Sequence, residues 1–114
     1  MHEASIAMSI LDIAGDHCRK AGFSAIRSVV VRIGAASGVM PEALMMAFDI
    51  AKLDTEAHAA ALTIIELPLG GTCRDCGGTF TTEEQFILAC PACGGGNFKF
   101  ETGRELDVSE IEVD

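Results

Sequence analysis

Residues 73–96 read CRDCGGTFTTEEQFILACPACGGG. Cys73 and Cys76 flank two residues, thirteen residues follow, and Cys90 and Cys93 repeat the spacing. Two intervening residues let both sulfurs of a pair face one ion from a tight turn. The glycines after each pair, Gly77 and Gly94, suit the positive φ that such a turn needs. Four thiolates match tetrahedral Zn2+ and close its coordination shell, leaving no open position for catalysis. A redox dithiol needs only one such pair in a βαβ setting, so structural zinc is the expected role of Cys73, Cys76, Cys90 and Cys93. Thr79, Phe80, Phe86 and Leu88 are expected to form a hairpin between the two knuckles.

The segment around these cysteines is rich in glycine and poor in aliphatics, so apolar burial alone would not fold it. It therefore divides the chain. The expected domains are an α+β body of residues 1–70 plus 101–114 and an inserted zinc-ribbon module of residues 71–100. In the body, Ile6, Ile10, Ile13, His17 and Ala21 recur at helical spacing, and Gly22 is a fitting stop. IRSVVVRIG, residues 26–34, is dense in β-branched residues and predicts a strand with Val29, Val31 and Ile33 on one side. SGVMPEALMMAFDIAKL predicts a loop and then a helix with Pro41 in its first turn and Glu42 near its positive end; Leu44, Met45, Phe48 and Leu53 are its core set. A second strand, 62–67, ends at Pro68 and the Gly70-Gly71 pair. FKFETGRELDVSEIEVD returns to strand patterning, with a turn at Gly103 and a change of parity that places a bulge near Ser109. The fold class is α+β: two helices packed on a small antiparallel sheet, with the zinc ribbon inserted.

Composition narrows the function. The chain has 114 residues, a formal charge of −9, 49% hydrophobic residues and neither Trp nor Tyr. Such acidity opposes binding to a phosphate backbone, so nucleic acid is not an expected partner. No apolar run approaches a membrane span and the start lacks the layout of a signal peptide, so the expected location is cytoplasmic. No Ser/His/Asp or Cys/His set is evident, and an enzyme is not expected. His17, beside Cys18 on the first helix, is expected to be a packed core histidine. His58, in EAHAAAL, is expected to be exposed. Met40, Met45 and Met46 read as core filler near Phe48, and the C-terminal acids as a solvated strand face.

The chain opens Met1-His2-Glu3. A free α-amine, the amide nitrogen of residue 2, the His2 imidazole and the amide of Glu3 can make a four-nitrogen plane, a donor set that favours Ni(II) or Cu(II) over zinc. Read by residue type alone, a His at position 2 is weak evidence for a metal, and the ordinary reading of the segment is a solvated terminus with Glu3 supporting the helix end. MHE, VRIGAASGVMPEAL, CRDCGGTF…CPACGG and GRELDVSEIEV, in this order and at these intervals, resemble the HypA family, the nickel metallochaperones of [NiFe]-hydrogenase maturation. The resemblance implies Ni2+ as transient cargo bound by Met1, His2 and Glu3, and structural Zn2+ on Cys73, Cys76, Cys90 and Cys93. It also implies delivery, with the GTPase HypB, to the hydrogenase large-subunit precursor, and a link to urease maturation proteins in some members. The expected state is a monomer or weak homodimer. The competing function is a zinc-ribbon module for protein interaction or nucleic-acid binding without nickel.

Overall fold

A computed structural model describes residues 2–114. Its elements are α1 (Glu3–Lys20), β1 (Ile26–Gly34), a 3-10 turn (Ala35–Ser37), α2 (Pro41–Ala51), β2 (Ala61–Leu67), β3 (Leu69–Cys73), β4 (Thr79–Thr82), β5 (Phe98–Thr102) and β6 (Leu106–Val113). Two three-stranded sheets result, ordered β2-β1-β6 and β4-β3-β5, and the chain is of the α+β class. It divides into two compact units: Met1–Arg32, Val39–Ile65 and Asp107–Asp114 in the first, Ile33–Gly38 and Glu66–Leu106 in the second.

In the first unit α1 packs on α2. The buried face of α1 is Ala7, Ile10, Ala14, Gly15 and Cys18; of the stripe Ile6, Ile10, Ile13, His17 and Ala21 expected from periodicity, Ile10 is buried and Ile6 half-buried, while Ile13, His17 and Ala21 are exposed. Ile13 is 47% exposed and His17 is exposed. His17 is therefore no core histidine. Four of the five buried residues of α1 are small, which allows neighbouring elements to pack close to the helix on this face. Gly22, with φ +85°, ends the helix region as expected. Pro41 begins α2, where its missing N–H costs nothing. Leu44 and Phe48 are fully buried, whereas Leu53, Met40 and Met46 are 60–67% exposed, so the last three are not core filler. His58 is exposed, as expected.

β1 spans the expected residues, and Val29, Val31 and Ile33 are buried. It runs antiparallel to β6: Ala25 and Asp114 exchange backbone hydrogen bonds of 3.3 and 2.8 Å, and Arg27 pairs with Glu112 at 2.9 Å. The change of face expected near Ser109 is visible in the burial, since Val108 is half-buried on one parity and Ile111 and Val113 on the other. β1 mirrors it, with Ile26 buried on one parity and Val29 and Val31 on the other. Further along the pair, Arg32 donates to both carboxylate oxygens of Asp107, Nε at 2.9 Å and Nη2 at 2.6 Å. This guanidinium hydrogen bond holds the Asp107 carboxyl below its ordinary 3.8. The clamp thus contributes fully above pH 3.8 and is lost as pH falls through the lower folded value. Asp107→Asn is expected to remove that part of the acid dependence by lowering stability near neutrality by the same amount, a small one because the pair is solvent-exposed, while stability at pH 2 stays as it was; thermal melts of both proteins between pH 6 and pH 2 check this.

In the second unit β3 is the central strand. It pairs antiparallel with β4 (Gly71 opposite Phe80) and with β5 (Gly71 opposite Phe100), with a register shift at Gly70/Gly71. Gly70 and Gly71 are therefore strand residues, not the turn expected after Pro68. A Cβ on Gly71 would overlap the carbonyl oxygen of Lys99, so glycine is needed there for close approach of two backbones. Gly71→Ala is expected to destabilise this unit by at least about 2 kcal/mol through overpacking; loss of protected β3 and β5 amides in hydrogen exchange would register it. β4 finds its partner in β3 rather than in residues 86–88, and Phe86 and Leu88 are 67% and 81% exposed. The inter-knuckle hairpin is replaced by a β3/β4 hairpin. Phe80, Phe98 and Phe100 meet edge to face, at 5.3–6.4 Å between centroids, on one face of this sheet.

Candidate metal centre

The knuckles are built alike. Gly77 N–H donates to Cys73 O and Gly94 N–H to Cys90 O, both at 2.9 Å. Cys73 N–H donates to Gly78 O at 2.9 Å and Cys90 N–H to Gly95 O at 2.8 Å. Gly77 and Gly94 take φ +72° and +76°, the left-handed region a β-carbon resists. The Arg74 N–H donates to Asn97 O at 2.8 Å, tying the first knuckle to the chain after the second.

The four sulfurs lie within 4.8 Å of one another, with Cys73 Sγ to Cys93 Sγ at 3.6 Å and Cys76 Sγ to Cys90 Sγ at 3.9 Å. A regular tetrahedron with Zn–S bonds of about 2.3 Å has edges of about 3.8 Å, so the set fits a single zinc ion. Cys73 and Cys90 are buried, Cys76 and Cys93 exposed. The Cys93 Sγ accepts from Gly95 N–H at 3.4 Å, as a metal thiolate does. As thiols, Cys90 and Cys93 are shifted in opposite directions. The amide N–H groups of Cys93 and Ala92 draw Cys90 down to about 7. Cys93 is pulled down by the Gly95 amide, but the neighbouring thiol of Cys73, burial, Cys90 and Cys76 outweigh it and push it up to about 12. A cation in the centre removes this conflict by stabilising all four as thiolates. Of the buried apolar residues described, only Ile33, Leu69, Cys73 and Cys90 belong to the second unit. That is too small a core to hold it together without the ion.

At the other candidate site Met1 lies outside the described residues. His2 is exposed and sits at the N-cap of α1, where its carbonyl accepts from Ile6 N–H at 3.2 Å. The amides of His2 and Glu3 thus precede the first intrahelical donor. The Glu3 carboxylate is engaged elsewhere: its Oε2 accepts from Met40 N–H at 3.1 Å. That bond, and a second from its own amide, hold the Glu3 carboxyl below the usual 4.5. Met40 is the N-cap of α2 and offers no capping side chain, so Glu3 places a carboxylate at the positive end of α2 and joins the starts of the two helices. Sequence reading missed this role; the one available signal was a helix start with Met, not Ser, Thr, Asp or Asn, at the cap. Cys18 is buried and its thiol donates weakly to Ala25 O at 3.7 Å. His17 and His58 join no metal-ligand cluster among the described residues.

Residues 1–113 match the family described as "Hydrogenase/urease nickel incorporation, metallochaperone, hypA". Among curated relatives, the hydrogenase maturation factors HypA of Methylocella silvestris and Albidiferax ferrireducens are 40% and 39% identical, each alignment covering 100% of both chains. The hydrogenase maturation factor HypA of a Roseiflexus species is 35% identical over 100% of this chain and 93% of its own. Among solved structures, the solution structure of the Ni metallochaperone HypA from Helicobacter pylori superposes with TM-score 0.69 at 25% identity, covering 99% of this chain and 97% of that one. A second HypA solution structure gives TM-score 0.72 at 25% identity, covering 99% and 96%.

Proposed function

The chain belongs to the HypA family of nickel metallochaperones, and from that membership we propose that it carries Ni2+ at its N-terminus while Zn2+ on Cys73, Cys76, Cys90 and Cys93 holds its second unit together. Its work is hydrogenase maturation. A metallochaperone of this kind transfers an ion and transforms no substrate.

The observation that carries the two-site reading is the contrast between the donor sets. The cysteines form a complete sulfur tetrahedron inside a folded unit, whereas His2 is exposed, with first-turn amides free of helical acceptors. A cargo site has to open and close. A chain terminus does so readily; a four-thiolate cage does not. Nickel would be held by the Met1 α-amine, the amide nitrogen and imidazole of His2, and the amide of Glu3. The Glu3 carboxylate, held by Met40 N–H, orients the start of α1. The nickel-binding part corresponds to residues 1–70 plus 101–114 and the zinc ribbon to residues 71–100.

The recipients are the hydrogenase large-subunit precursor, with the GTPase HypB as co-worker, and urease maturation proteins where the cell makes urease. No helix among the described residues is long and apolar enough to cross a membrane, and the work is assigned to the cytoplasm, with the chain acting as a monomer or weak homodimer.

Because the sulfur set suits zinc and the nitrogen set suits nickel, added Ni2+ is expected to bind without expelling zinc. Metal analysis after Ni2+ addition and desalting should find about one of each ion per chain. Stoichiometric loss of zinc would overturn the two-site reading.

A further inference from the structure

On the outer side of the α1–α2 pair a groove of about 470 Å³ opens beside His2, lined by Ala4, Met8, Ala43, Met46, Ala47 and Ile50. Met8, Met46 and Ile50 are 61%, 67% and 67% exposed. Residues of this size and polarity project into water on neither helix for the sake of the core, which is served by Leu44, Phe48, Ile10 and Cys18 on the opposite faces. Unpaired apolar surface of this kind marks an interaction site.

The groove's shape and rim select the occupant. A furrow between two packed helices accepts a third helix, small residues allow its backbone close, and methionines adapt to its side chains. The rim is acidic. Asp12 follows Met8 by one turn of α1; Glu42 precedes and Asp49 follows Met46 on α2. Asp49 shares its charge with Lys52 at 3.4 Å, but among the described residues no Lys, Arg or His pairs with Asp12 or Glu42. A second copy of this chain would bring the same acids together, which disfavours self-association.

We propose that the α1–α2 groove is a docking site for an amphipathic helix of a partner protein, with bulky aliphatic residues along one face and Lys or Arg on both flanks. The helix lies next to His2, so docking positions the partner at the terminus. The groove is an interaction surface whether or not His2 holds nickel, and the test reads docking alone.

The probe is a synthetic helical peptide of about five turns with Leu at i, i+3, i+4 and i+7 and Lys on the flanks, titrated into the zinc-loaded protein by calorimetry and amide chemical shifts. A matched peptide with Glu on the flanks is the comparison. The Lys peptide is expected to bind at least about tenfold more tightly, with shifts confined to α1 and α2 and with affinity falling as salt rises. Ile50→Asp and Glu42→Lys, both exposed positions that leave the core intact, should each lower that affinity. An unchanged amide spectrum outside the groove shows that each variant is folded. Equal affinity for the two peptides, shifts centred on the exposed Phe86–Leu88 loop, or indifference to both substitutions would overturn the proposal. So would a concentration-dependent dimer, seen by sedimentation and abolished by Ile50→Asp, which would assign the groove to a second copy.

Discussion

Cys73→Ala is expected to lose its zinc and unfold the second unit, while the first unit stays folded. Cys73 is fully buried, and its sulfur lies 3.6 Å from that of Cys93. Three remaining thiolates would no longer close the four-sulfur shell that a structural zinc ion needs. Structural zinc sites of this type contribute on the order of 10 kcal/mol to folding, more than the whole stability of a small domain. The second unit has little to replace that contribution, since Ile33 and Leu69 are its only buried aliphatics among the described residues. The first unit keeps Ile26, Val29, Val31, Leu44 and Phe48, none of which touches the ion's needs. Zinc content should fall from about one ion per chain to near zero. Amide signals of β3, β4 and β5 should collapse while those of α1, α2 and β1 persist. Full zinc retention, or loss of every amide signal together, would contradict the division of labour between ion and core.

An N-terminal extension should be as damaging to nickel binding as His2→Ala, and neither should disturb zinc. This is the second large effect. Four nitrogens in adjacent chelate rings act as a unit, so removing one does not subtract a quarter of the affinity; it opens the plane. His2→Ala removes the imidazole. A tag converts the α-amine at residue 1 into an amide and leaves His2 inside a longer chain. Each change is expected to weaken Ni2+ binding by more than the about tenfold to hundredfold that loss of an outer-shell partner costs, because a donor itself is removed. His2 is exposed and makes no side-chain cap for α1, so the fold has no stake in it. Calorimetric titration of tagged, untagged and His2→Ala protein with Ni2+, alongside zinc analysis, makes the comparison. Unchanged nickel affinity on tagging would move the site to groups such as His17, Cys18 or His58, none of which belongs to a group of three or more metal-ligating side chains among the described residues.

Glu3 separates from His2 in this scheme. Its carboxylate is bound to the Met40 amide, so replacing Glu3 acts on the joint between α1 and α2 as well as on any metal bound at the terminus. A loss of nickel affinity in a Glu3 variant would for that reason be weaker support for direct ligation than the same loss in a His2 variant.

What the amino-acid sequence determined by itself is what short-range geometry controls. The two knuckles are closed by bonds within a few residues, Cys73 O to Gly77 N–H and Cys90 O to Gly94 N–H, so spacing and glycine alone announce them. The β-branched run of β1 and the Pro41 start of α2 are equally local: side-chain stiffness and a fixed φ act within one or two residues. The α+β class followed from these pieces. Tertiary structure decided which surfaces are inside. Periodicity placed Ile13 and His17 in the core, but the packing around α1 buries Ala7, Ala14 and Cys18 instead, a choice made by the neighbouring elements and invisible along one helix. The Gly70-Gly71 pair has the same local preferences in a turn as in a crowded strand; only the backbones of β4 and β5 on either side make it the centre of a sheet. The carboxylate of Glu3 reaches an amide thirty-seven residues away. Such a bond depends on two helix starts meeting in space, and nothing in the chemistry of either residue says that they will.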